Sequence, residues 1–243
     1  MLIWLLITAV GVLLSLGASA LVKFEFARGR EIPIASGLTG AEVAARVLRD
    51  ADVRDVTIQR SEGFLSDHYN PFDKTLNLSE EVYDGTSAAS AGVAAHEVGH
   101  AIQHARGYGP MWLRSILVGP AQFGSTLGPI LAAVGAAMGA AQQVAAGHHG
   151  IGYWIAIIGV VLFGAATAFT VVTVPVEFNA SARARERLVA LGITQPGEED
   201  HVVRGVLLAA GLTYVAAAAT AIMWLLYYAW EAGLIGGGRG QRA

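Results

Sequence analysis

Cysteine is missing from all 243 residues. Its absence excludes a disulfide framework, a thiolate nucleophile and a Cys-ligated metal, so any metal ligands must be His, Asp or Glu. Charge is scarce too. Charged residues make up 14% of the chain against 54% apolar ones, far from the composition of a soluble domain this long. The formal net charge of -3 offers no positive excess, so no nucleic-acid partner is expected, nor is an acidic substrate.

Long apolar runs stand where the charge is lacking. Met1 to Val22, Ser115 to Gly147, Gly150 to Val176 and Gly205 to Trp230 contain no Asp, Glu, Lys or Arg. Crossing a bilayer takes about 20 residues. A buried soluble core accounts for one such run in a chain this short, not for four. The reading is an integral membrane protein, mainly α, with the lipid bilayer as its first partner. The second run holds Pro120 and Pro129, so its helix is expected to begin late or to kink. Near its end the first run carries Ala18-Ser19-Ala20, which resembles a signal-peptide cleavage site, but no positive charge precedes the run and its length exceeds the usual h-region. It reads as an uncleaved anchor. Lys23, Arg28 and Arg30 follow it, which places the N-terminus outside and the next segment in the cytoplasm. Of the sixteen Lys and Arg, only Arg239 and Arg242 then fall on the outer side.

This divides the chain into an anchor (1–22), a polar segment (23–110), a membrane hairpin (111–176), a second polar segment (177–204), a last span (205–230) and a Gly-rich flexible tail (231–243). In the first polar segment, Leu38 to Leu48 has the period of an amphipathic helix capped by Thr39. Val56 to Gln59, Phe64 to Tyr69 and Thr75 to Leu78 read as strands, the last two around an Asn70-Pro71-Phe72-Asp73 turn. Glu80 to Tyr83 leads into a helix from Thr86 to Ala105, started by Asp84-Gly85-Thr86 and stopped at Gly107. A small sheet packed on that helix is the natural arrangement. Gly124 to Gly128 and Gly135 to Gly139 space small residues for close helix contact within the bundle. His148-His149 reads as a solvated loop. Pro175 suits the first turn of a fresh helix.

The chemistry lies in His96-Glu97-Val98-Gly99-His100. Four residues on a helix is about 400° of rotation, so both imidazoles project from one face and can share a metal ion. Glu97 is turned aside, where it reaches a water rather than the metal. Zinc lowers the pKa of such a water to about 7, and a carboxylate can then carry its proton to a leaving amine. A catalytic zinc takes three protein ligands. His104 is a poor third, because ligands on three successive turns of one helix span about 12 Å of rise. Glu177 is the better candidate. It follows the third apolar run directly, and a carboxylate there needs a partner: a metal, or an arginine such as Arg183 or Arg106. Two His and a Glu also suit other divalent ions.

Ser36-Gly-Leu-Thr-Gly-Ala-Glu42, Asp67-His-Tyr-Asn-Pro71, Leu76-Asn-Leu-Ser-Glu-Glu-Val-Tyr83, Val93 to Ala101 and Leu212-Thr-Tyr-Val-Ala216 together resemble the YugP-type membrane zinc metallopeptidases. The likeness spans nearly the whole chain. More distantly the plan is similar to the HtpX and CAAX prenyl protease group, in which a Glu after a membrane hairpin completes the zinc site. The resemblance implies four transmembrane helices with a small cytoplasmic α+β gluzincin-like domain in a bacterial inner (plasma) membrane. It also implies Zn2+ held by His96, His100 and Glu177, with Glu97 as general base. Asn179 and Ser181 stand where acidic residues are usual in the related groups, which weakens an orienting role for Asn179. His68, Tyr69 and Arg183 are candidate oxyanion donors. The expected function is hydrolysis of a peptide or membrane-protein substrate at the cytoplasmic membrane surface, with an extended peptide added along Thr75 to Leu78. The alternative is a zinc-stabilised membrane scaffold that does not cleave. A transporter is disfavoured, because the spans hold no ionisable residue. Substrate sequence and oligomeric state stay open.

Overall fold

The computed structural model describes residues 2–63 and 66–236. It is mostly helical, with one small sheet. In chain order the elements are α1 (Leu2–Arg30), α2 (Gly40–Asp50), β1 (Thr57–Ser61), β2 (His68–Asn70), β3 (Thr75–Ser79), α3 (Glu80–Asp84), α4 (Ala88–Ala105), α5 (Gly109–Ala137), α6 (Ala140–Ala145), α7 (Ile151–Ala190) and α8 (Glu198–Glu231). They fall into two compact units. One comprises 1–14, 113–173 and 215–243, the other 15–112 and 174–214.

The first unit is mainly apolar. The helices α1, α5, α7 and α8 are each long and apolar enough to cross a membrane, and many of this unit's large side chains, such as Leu13, Phe123 and Val161, are exposed. Such a surface belongs in hydrocarbon. Glycine lets α5 meet α7. A Cβ on Gly124 would stand 2.0 Å from the Leu162 carbonyl oxygen, and one on Gly135 2.3 Å from the Ala156 nitrogen. Gly139 does something else. It takes a left-handed φ of 80° at the start of α6 and ends the stripe of small residues. Trp4, Trp224, Tyr227, Tyr228 and Trp230 form an aromatic cluster of the kind found at membrane interfaces.

Two proline expectations meet the structure. Of the two alternatives for the second run, a late start is ruled out, because α5 starts at Gly109 and runs through Pro120 and Pro129. Likewise Pro175 opens no fresh helix, because α7 is continuous from Ile151 to Ala190. A proline costs one backbone hydrogen bond, but its φ of about -65° is helical, and long apolar helices absorb the loss. Glu177 and Ser181 therefore ride on the same rod as the third apolar run.

The second unit builds around α4. A capping box starts α2: the Thr39 hydroxyl accepts from the Glu42 N–H, and the Glu42 carboxylate accepts from the Thr39 N–H at 2.8 Å. The sheet order is β1-β3-β2, with β1 parallel and β2 antiparallel to β3. Since β3 lies in the middle, paired on both sides, Thr75 to Leu78 cannot receive an added peptide strand. The expected strand from Phe64 to Tyr69 falls partly on residues 64 and 65, outside the described residues. Its described part pairs only from His68.

Of α4, only Val93 and His100 are half-buried and only His104 and Ala105 exposed; the rest is buried. It packs against α2, α3, β2 and β3. Ala88, Ala91, Ala94, Ala95 and Ala101 give it a thin profile that admits neighbours on several sides. The helix starts at Ala88, two residues later than expected, with the Ser87 hydroxyl accepting from the Ser90 N–H at 3.2 Å. The Gly85 and Thr86 carbonyls are engaged elsewhere, accepting from the Gly40 and Ile34 amides at 2.9 and 3.1 Å. That holds this stretch extended.

Candidate metal centre

One turn apart on α4, the His96 and His100 rings stand edge to face, 4.8 Å between centroids. Glu177 of α7 reaches between them. Its Oε2 lies 3.2 Å from His96 Nε2 and 3.4 Å from His100 Nε2. Among the described residues, these three offer ligand atoms all within 4.8 Å of one another. The two imidazoles are 11% exposed and the carboxylate 4%. Two imidazole nitrogens and one carboxylate oxygen converging in a buried site are a donor set that suits zinc. Neither arginine weighed as a partner for Glu177 serves it. Arg183 donates to Asn179 Oδ1 at 2.8 Å, and Arg106 to the Ala51 carbonyl at 3.2 Å.

Close approach of α4 and α7 makes this convergence possible, and Gly99 permits it. A Cβ there would lie 2.6 Å from the Ala180 carbonyl oxygen and 3.0 Å from its Cα. The helices touch backbone to backbone between the two histidines, three residues beyond Glu177.

Each histidine is held from its far side. His96 Nδ1 lies 3.1 Å from the Ser181 hydroxyl, one turn beyond Glu177 on α7. His100 Nδ1 lies 3.0 Å from Gln103 Oε1. Both Nε2 atoms are thereby turned toward Glu177. Sequence reasoning gave no role to Gln103 and named Ser181 only as a departure from a pattern. The available signal was spacing, since Gln103 is three residues past His100 and Ser181 four past Glu177. Burial pushes the His100 pKa down, but the carboxylates of Glu177 and Glu97, with Gln103, outweigh it, so the net shift is upward.

Glu97 stands aside from the three donors. Its Oε2 accepts from the Tyr69 backbone N–H of β2 at 2.9 Å. That N–H points away from β3, so this outer edge of β2 faces the Glu97 carboxylate. The Tyr69 hydroxyl lies 2.9 Å from His104 Nδ1, and its pKa is pushed up to about 12 by burial and then by Asp55 and Asp73. His104 itself is exposed. His68 turns its Nδ1 to the Ser66 carbonyl at 2.8 Å. Arg183 lies over the Tyr108 ring, 5.9 Å from its centroid. Asn179 contacts Gln103 and Arg183 rather than a histidine. Asp67 accepts from the Ser79 N–H at 2.8 Å. Burial raises its pKa against those hydrogen bonds, and the Glu97 charge adds to the rise.

Comparison with known proteins points to a zinc enzyme family. The family described as "Putative neutral zinc metallopeptidase" matches residues 4–232. A relative from Bacillus subtilis (strain 168), named "Putative membrane protease YugP", is 39% identical over 226 residues, covering 93% of this chain and 94% of the relative. No solved structure matches.

Proposed function

Because the chain belongs to the neutral zinc metallopeptidase family, we propose that it is a membrane-embedded, zinc-dependent endopeptidase with a gluzincin-like site. His96, His100 and Glu177 hold the zinc. The single observation that carries this is the convergence of those three donors beside a fourth group, Glu97, that is not among them. A purely structural site has no need of that carboxylate.

Zinc supplies Lewis acidity toward the scissile carbonyl and the attacking water. Glu97 takes a proton from that water as it adds to the carbonyl carbon, then delivers it to the leaving amine nitrogen as the C–N bond breaks. The Tyr69 N–H fixes the Glu97 carboxylate during both transfers. His68, Tyr69 and Arg183 remain the candidates for stabilising the oxyanion. We place the N-terminus outside and the site on the cytoplasmic face. Support comes from the Lys and Arg distribution, fourteen of sixteen lying before the tail. Glu177 directly follows an apolar run, which favours membrane proteins and their cytoplasmic tails as substrates.

The test is zinc dependence of cleavage by the detergent-purified chain. Stripping zinc with a chelator is expected to abolish hydrolysis of an unfolded protein, and stoichiometric zinc to restore it. A zinc-loaded chain that cleaves no membrane or unfolded protein would favour the scaffold instead.

A further inference from the structure

Gln103 is fully buried, yet neither the ligand set nor the proton transfers use it. Its side chain makes three polar contacts. Nε2 donates to the Val176 carbonyl at 2.7 Å and to Asn179 Oδ1 at 3.0 Å, and Oε1 lies 3.0 Å from His100 Nδ1. The polarity of this network follows from its ends. A backbone carbonyl only accepts, so the amide atom facing Val176 must be the NH2 group. Arg183 Nε only donates, so the Asn179 atom it meets at 2.8 Å must be oxygen, and that oxygen also receives from Gln103. Oε1 is left facing His100, where it can only accept. The proton of the neutral imidazole therefore sits on Nδ1, and the Nε2 lone pair points toward Glu177 and the shared site.

We propose that Gln103 is the positioning residue that locks the metal-binding tautomer and ring orientation of His100, through an amide whose own direction is set by α7. The relay runs from Arg183 and Val176 through Asn179 and Gln103 to the imidazole, so the helix that carries Glu177 also orients the ligand opposite it. Asn179 meets Gln103 and Arg183 instead of a histidine, so its orienting role is indirect. Its oxygen accepts from two donors at once and acts on the histidine through Gln103. The inference rests on the zinc-ligand assignment above.

Zinc affinity of the full chain in detergent, measured by competition with a chromophoric chelator, tests it. Gln103→Met keeps the shape but removes the acceptor. It is expected to weaken zinc binding about 10–100-fold, the usual cost of losing a group that orients a ligand histidine, with helical content unchanged. Gln103→Glu keeps an oxygen for Nδ1–H in either charge state but loses the NH2 group. It is expected to recover part of the wild-type affinity, because the acceptor returns while the α7 contacts that aim it do not. Wild-type affinity in Gln103→Met would overturn the proposal. Equal losses in both variants would also overturn it, since Gln103 would then be only a strut that donates to α7. His100→Ala is the reference: loss of zinc there leaves these readings intact, whereas retention would sink the ligand assignment itself.

Discussion

Glu97→Gln is expected to abolish measurable peptide hydrolysis while the chain keeps its full complement of zinc. The substitution is nearly isosteric, and the amide oxygen of Gln can still accept from the Tyr69 N–H as the Glu97 carboxylate does at 2.9 Å. Fold and metal site are therefore left alone. What disappears is the group that takes the proton from water, and a positioned general base contributes about 10²–10⁴-fold to rate. The loss falls on kcat, because the carboxylate acts as the reaction proceeds and not in holding the substrate. A Glu97→Gln chain that cleaves at the wild-type rate, with zinc equally bound in both, would assign the proton transfers to another residue.

Gly99→Ala is expected to remove zinc from the site at a smaller cost to the fold. Real Cβ atoms essentially never come within 3.0 Å of another heavy atom, and here one would sit 2.6 Å from the Ala180 oxygen. The obstacle is backbone on α7, which cannot swing aside, so the two helices must part by several tenths of an ångström. Zinc–ligand distances tolerate only about 0.2 Å. Overpacking of this kind typically costs 1–3 kcal/mol, partly offset by about 1 kcal/mol of better helix propensity for alanine. The site is therefore lost before the fold is. Gly92→Ala on the same helix is the control. Its Cβ would meet a Val203 methyl group at 3.3 Å, which can give way. Zinc affinity should fall at least tenfold in Gly99→Ala and stay near wild type in Gly92→Ala. Equal affinities in the two would show that the helix contact does not govern the site.

The parts of this architecture that were legible beforehand depend on short-range rules. His96 and His100 are brought to one face by the period of a single helix, and four apolar runs declare themselves by length alone. Glu177 needed one further step, the cost of a lone carboxylate next to hydrocarbon. Strand order was out of reach: Thr75 to Leu78 looks like any other short strand, and only long-range pairing puts it in the centre. Pro175 misled because proline's local preference for a first turn is overridden inside a long apolar helix. Gln103 and Ser181 stayed hidden for a different reason. A glutamine or serine is ordinary on any helix, and becomes informative only when α4 and α7 close on each other and leave its polar atoms nowhere else to bond.

The central claim is that a carboxylate from a second helix completes a zinc site begun by two histidines on α4. The most direct measurement is zinc content and affinity of the purified full chain, wild type beside Glu177→Ala. Wild type should hold about one zinc per chain, as one catalytic site requires, and Glu177→Ala should lose it on dialysis against a weak chelator. If Glu177→Ala kept zinc with wild-type affinity, the third ligand would lie elsewhere and the account of the site would fail.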